Sequence, residues 1–132
     1  MNQMQTHIGI PADNHGLRSL CDSHGIVLEA YSPLAHGKAL GVAAVQTVAA
    51  AHNKSTAEIA LRFVAQLGKG LSSSISPLGL APLVTSSSNP KHLAEDLTVF
   101  TGGWALSDAD MVTLQAMTKP SCALEAPGSC CH

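Results

Sequence analysis

The chain has 132 residues, of which 45% are hydrophobic, 12% charged and 3% aromatic, and its formal net charge is −2. That balance offers no basic surface for nucleic acid or an anionic membrane, and so few aromatics leave little for base stacking. No run reaches the roughly 18 apolar residues of a membrane span, and the first residues lack a basic-then-apolar signal layout. The expected location is therefore the cytoplasm. A charged share about half the usual one of roughly 25% implies that part of the surface lies against something else. The four cysteines have no zinc-ligand spacing. The terminal "CCH" places three donors too close together for a tetrahedral site, so no metal is expected.

In chain order, the first few residues read as a strand. "NHGLRSLCDSHG" then places Leu17, Leu20 and Cys21 at helical spacing and stops on Gly25. Ile26 to Ala30 is an apolar run with the length of a buried strand. It runs into Tyr31, the single tyrosine, and is halted by Ser-Pro. From the residues alone Tyr31 is either a core tyrosine before a turn or a residue at a strand's carboxyl end, where α/β sheets keep their ligands.

"GKALG" reads as loop and "VAAVQTVAAAHN" as helix. "STAEIALRFVAQLG" is the strongest helix: Ser55 and Glu58 form a capping box, Ile59, Leu61, Phe63 and Val64 supply its apolar side, and Gly68 ends it. Residues 68–82 are Ser, Gly, Pro and Leu without a period, and read as a loop insertion. "LVT" is a short strand, "SSSNP" a turn, and "KHLAEDL" a helix with Pro90 in its first turn. A last helix starts at Ser107, with Asp108 and Asp110 favoured by its dipole; those two carboxylates read as helix charges rather than an acid/base pair. Residues 119–132 read as a disordered tail. Strands alternating with helices predict parallel pairing with crossover helices, but three doubly buried strands are too few for a free-standing sheet.

There is no G-x-S-x-G elbow and no G-x-G-x-x-G, and "GKGLS" lacks phosphate-loop spacing. What does coincide is a set of motifs in order: "NQMQTH" at 2–7, "GIVLEAYSPL" at 25–34, "HNKSTAEIALRF" at 52–63, "SSSNPKHLAEDLTVF" at 86–100 and "LSDADM" at 106–111. Together they resemble the aldo-keto reductase family. The resemblance implies an α/β fold, a partial (β/α)8 TIM barrel of about the last three β/α units plus a carboxyl-terminal helix, over residues 1–118.

The resemblance also implies a site for a nicotinamide dinucleotide. Tyr31 corresponds to the tyrosine that stacks on the nicotinamide, and a flat apolar face at a sheet's end suits a planar ring. Gln3 resembles the glutamine that hydrogen-bonds the carboxamide, with a polar residue near a chain terminus as the bland alternative. Ser32 and Leu34 resemble loop residues at the pyrophosphate. Ser86, Ser87 and Ser88 match the loop that holds the adenosine phosphate at a helix amino terminus, or are a plain capping run. His92, Glu95 and Asp96 fall on the following helix, where the family places phosphate and adenine contacts. Ser86 and His92 stand where a Lys and an Arg are usual, so NADP is expected with NAD possible. Asp96 replaces the usual Asn, and Ile8 replaces the proline that usually follows the histidine matched by His7.

The implied function is that of an NAD(P)H-dependent carbonyl-to-alcohol oxidoreductase, acting on a small carbonyl substrate. The family's catalytic Asp, Tyr, Lys and His lie in its first half, so no catalytic residue is assigned here. A non-catalytic nucleotide- or partner-binding remnant, or an incomplete gene model, is the alternative. The isolated chain is expected to associate, because its outer strands leave unpaired edges.

Overall fold

Side-chain alternation in two short strands organises the molecule. In the computed structural model, which describes residues 1–68 and 80–117, β1 is Asn2–Gln5, β2 is Leu28–Tyr31 and β3 is Leu83–Val84. They form a parallel sheet in the order β1-β2-β3. The register pairs Gln3 with Glu29, Met4 with Ala30 and Gln5 with Tyr31, and it continues with Ala30 against Leu83 and Tyr31 against Val84. Because successive side chains point to opposite faces, Met4, Leu28 and Ala30 share one face and Gln3, Gln5, Glu29 and Tyr31 the other. The first set is buried; in the second Gln3 and Tyr31 are exposed. The sheet therefore has a covered face and an open one.

Helices supply the cover. They are α1 (Leu17–Ser23), α2 (Ala43–His52), α3 (Thr56–Leu67), α4 (Pro90–Thr101) and α5 (Asp108–Gln115). Cys21 and Leu17 of α1 pack on Met4 and Leu28. Ala30 joins the main core, where Val45 and Val48 of α2, Phe63 and Val64 of α3 and Leu114 of α5 meet. A neighbouring cluster joins Leu61 of α3 to Val99 of α4 and to Leu80. Phe63 is 1% exposed. Truncating a buried Phe to Ala costs about 3–5 kcal/mol, a large share of the stability of a domain this size.

Local rules explain the helix ends. The Ser55 hydroxyl accepts from Glu58 N at 3.1 Å while the Glu58 carboxylate accepts from Ser55 N at 2.9 Å, the expected capping box. The carboxylate of Glu58 also accepts from Lys54 and from the Thr98 hydroxyl, tying α3 to α4. Gly25 stops α1 at φ +62°, and Ile26 N closes the turn by donating to Cys21 O at 2.8 Å.

Three boundaries differ from the sequence expectation. The second strand begins at Leu28 rather than Ile26, because Ile26 N is spent on the helix stop, and it ends on Tyr31. The stretch around "GKALG" is not irregular: Ala35–Gly41 forms 3-10 turns against α2 and α3. The fourth helix extends to Thr101, since Val99 and Phe100 pack into the core. Leu20, expected on the apolar side of α1, is 54% exposed. The predicted insertion falls mostly, and the predicted tail wholly, outside the described residues. No described helix is long and apolar enough to cross a membrane.

Candidate functional site at the carboxyl end of the sheet

Tyr31 is not a core tyrosine. It closes β2 on the open face and remains 44% exposed, while Thr6 N donates to its carbonyl at 3.2 Å and secures the strand end. The chain then turns sharply. Ser32 takes φ +53°, a conformation few non-glycine residues adopt, and Pro33 is buried directly after it. Ala35 N returns to Ser32 O at 3.0 Å, and Gly37 N to Leu34 O at 2.9 Å.

Between this turn and the end of β3 lies a cleft of about 460 Å3, within the range of small-molecule sites. Tyr31, Ser32 and Leu34 line one side, with Val84, Thr85 and Ser86 opposite. The structure thus brings together four of the residues anticipated from sequence: Tyr31, Ser32, Leu34 and Ser86. It also adds His36, which lines the same cleft. Its position, two residues beyond Leu34 in the loop that follows the strand, does not by itself set His36 apart in the sequence.

The remaining candidates lie apart from the lining. Gln3 is on the same face as Tyr31, but its side-chain amide donates to the carboxylate of Glu29. Ser87 is engaged in the turn, where its hydroxyl accepts from Asn89 N at 3.1 Å. The cap of α4 is Asn89, whose side chain accepts from Lys91 N at 3.0 Å, so the serines do not cap the helix. Ser88 and His92 are exposed beside that terminus. Glu95 sits 4.0 Å from the Lys91 ammonium. Asp96 is half-buried, and burial pushes its carboxyl above the ordinary value, with His92 opposing the shift and Glu95 and Glu58 adding to it. No cluster of His, Cys, Asp and Glu among the described residues would hold a metal.

A second polar assembly went unnoticed in the sequence. His52 Nε2 lies 2.9 Å from Asp110 Oδ2 and joins the end of α2 to the start of α5. The same carboxylate accepts from Ser107 N at 3.0 Å and from the Ser107 hydroxyl at 2.6 Å. Asp110 is thereby held below the ordinary carboxylate value, by the Ser107 hydroxyl first and then by His52.

The model of the Aldo/keto reductase family matches residues 1–119. The chain belongs to this family. It is 36% identical over 120 residues to an aldo-keto reductase of Mycobacterium sp. (strain MCS), covering 90% of this chain and 36% of that protein. It is 30% identical over 121 residues to aldose reductase B of Dictyostelium discoideum, covering 90% of this chain and 34% of the relative. Among solved structures, a Gox0644 variant in complex with NADPH superposes with a TM-score of 0.73 at 28% identity, over 89% of this chain and 38% of that one. The aldose reductase from Schistosoma japonicum superposes with a TM-score of 0.68 at 25% identity, over 96% of this chain and 34% of that one. The chain thus spans about a third of the length of the aldo-keto reductases it matches.

Proposed function

We propose that this chain is the cofactor-binding part of an NAD(P)H-dependent aldo-keto reductase, a carbonyl-to-alcohol oxidoreductase, and that its sheet is a portion of a (β/α)8 barrel. The carrying observation is the half-exposed ring of Tyr31, on the open face at the end of β2, in one cleft with Ser32, Leu34 and Ser86. A solved relative bound to NADPH supports the cofactor class for the family.

The residues present fit a dinucleotide at one end better than at the other. The Tyr31 face gives a planar ring an apolar support, and the hydroxyls of Ser32 and Ser86 give phosphate oxygens donors across the cleft. At α4 the fit is looser. Asn89 already occupies one amide of the first turn and Pro90 has none to give. Ser86 and Ser88, exposed beside this terminus, are the hydroxyls left for the adenosine phosphate, with His92, Glu95 and Asp96 further along α4.

When bound, the nicotinamide supplies a hydride to a carbonyl carbon. The part of this chain is to hold and orient: Tyr31 sets the plane of the ring, the Ser32–Leu34 turn holds the pyrophosphate, and Gln3 reaches the carboxamide once released from Glu29. No proton donor is assigned among these residues. The reading places the protein in the cytoplasm, where the buried, free Cys21 stays reduced.

Calorimetric titration of the chain with NADPH tests this. The expected result is saturable binding that weakens about tenfold in Tyr31→Ala, since losing one ring stack costs about 1–3 kcal/mol. Absence of saturable binding, or a Tyr31→Ala variant that binds as the wild type does, would overturn it.

A further inference from the structure

We propose that the two outer edges of the sheet are the two halves of one contact, and that a second copy of this chain covers both. In the pair, β3 and α4 of each copy dock in parallel on β1 and α1 of the other, around a two-fold axis along the strands. This goes beyond the cofactor reading and depends on the fold alone.

The first edge is a groove. Beside β1 lies a hollow of about 490 Å3 with apolar walls from Met4, Ile10, Leu17 and the exposed Leu20, and no Lys, Arg, Asp or Glu lines it. On the β2 side, Asn2 N donates to Val27 O at 2.8 Å and Thr6 N to Tyr31 O at 3.2 Å. The alternation of a parallel ladder therefore turns the N–H and C=O of Gln3 to the outer side. A small molecule can fill a hollow, but a strand edge is answered by another strand.

The second edge is a ridge. Leu93, Leu97 and Phe100 recur at the i, i+4, i+7 spacing of an apolar helix stripe. Phe100 packs on the cluster of Leu61 and Val99, whereas Leu93 and Leu97 are 48% and 61% exposed. Single exposed leucines are ordinary, but two on adjacent turns in line with a packed Phe are a stripe without cover. The strand beside them mirrors β1. Pro82 O accepts from Ala30 N at 3.0 Å on the β2 side, so Leu83 turns its N–H and C=O outward.

Continuity of the sheet identifies the occupant. β3 lies parallel beside β2, and α4, the helix after β3, packs on α3, the helix before it. The series continues with another parallel strand, followed by a helix that brings an apolar flank to Leu93 and Leu97. β1 and α1 of a second copy are such a unit, with Leu20 on the flank that meets them. A head-to-tail contact either closes or runs on as a filament, and two-fold closure uses every edge once. Both Tyr31 clefts then open at the same end of the pair, because the axis follows the strands.

Sedimentation velocity over a concentration series reads the assembly, for the wild type, Leu20→Lys and Leu97→Glu. Both side chains are exposed, so each variant keeps its fold, as circular dichroism checks. The wild type should form a dimer and nothing larger. Each variant alters both contacts of the dimer and should weaken it about a hundredfold, at about tenfold per lost leucine contact. An equal mixture of the two variants should dimerise again, because the mixed pair has one unaltered contact and one in which the new ammonium meets the new carboxylate. A dimer weakened by neither variant or by only one of them, or a mixture that stays monomeric, would overturn the pairing. Filaments would overturn the closure. A wild type that stays monomeric at every concentration would overturn the whole proposal and leave the edges to β/α units of another polypeptide. Titration with NADPH is read separately, so the cofactor reading stands or falls on its own.

Discussion

Gln3 donates its side-chain amide to the carboxylate of Glu29 across the β1–β2 pair, on the open face of the sheet and one pleat before Tyr31. Exposed polar pairs of this kind are weak, so the bond can yield to a better partner. A nicotinamide carboxamide stacked at Tyr31 would compete with Glu29 for Gln3. We therefore expect Glu29→Ala to tighten NADPH binding about twofold and Gln3→Ala to weaken it by less than about tenfold, the loss assigned to the Tyr31 ring. Calorimetry of the two variants and the double mutant reads this directly. A Glu29→Ala variant that binds NADPH more weakly would show that Glu29 helps rather than competes.

Ser86 lines the cleft whereas His92 does not. If the 2′-phosphate of NADPH is held by Ser86, a fixed cation there should raise the preference for NADPH over NADH. Ser86→Lys is expected to raise the ratio of the two dissociation constants at pH 8 by about tenfold, the effect of adding a charge-assisted bond. An unchanged ratio would place the phosphate elsewhere.

The carboxylate of Asp110 should make α5 sensitive to acid. Folding lowers its pKa, so its stabilisation is present above the ordinary carboxylate value of 3.8 and is lost as pH falls through the lower folded value. Asp110→Asn should melt earlier than the wild type at pH 7, with the gap narrowing once pH falls below 3.8 and closing below the lowered folded value. Ser107→Ala removes the cap of the same helix at a cost of about 1 kcal/mol. Thermal melts over pH check both; a gap that persists undiminished into acid would point to packing rather than charge.

Asp96 should behave in the opposite sense. Its pKa is raised, first by burial, so the stabilisation linked to its protonated form is present below 3.8 and lost as pH rises through the folded value. Asp96→Asn should therefore raise the melting temperature at pH 7 by about 1–3 °C and do nothing at pH 3. A lower melting temperature at pH 7 would mean that the ionised carboxylate makes a favourable contact.

Among the described residues β1 and β3 each have one sheet neighbour. Strand edges of this kind pair with other chains. Sedimentation velocity should show association that grows with concentration, and a monodisperse monomer with a sharp melt would contradict it.

The parts of this molecule that were legible in the sequence are those governed by neighbours in the chain. Ser55 with Glu58 and Ser107 with Asp110 cap helices through bonds spanning three residues. Gly25 stops α1 for a local reason, the positive φ that glycine takes freely. Tyr31 could be singled out because a strand halted by Ser-Pro must leave its last side chain at the sheet's end. What was not legible depends on distant packing. His52 meets Asp110 across 58 positions, and nothing in either segment announces the other. The last turn of α4 exists because Val99 and Phe100 find Leu61 and its neighbours. The bond between Gln3 and Glu29 depends on strand register, which follows only once the pairing is known. His36 was passed over because a loop histidine looks ordinary until the cleft beside it is seen.

The central claim, that a dinucleotide lies at the carboxyl end of β2, is tested most directly by mapping NADPH onto the chain through backbone amide NMR shifts. The account predicts saturable shifts at Tyr31, Ser32, Leu34 and Ser86, on both sides of the cleft. Shifts confined to other surfaces, or none at saturating NADPH, would contradict it.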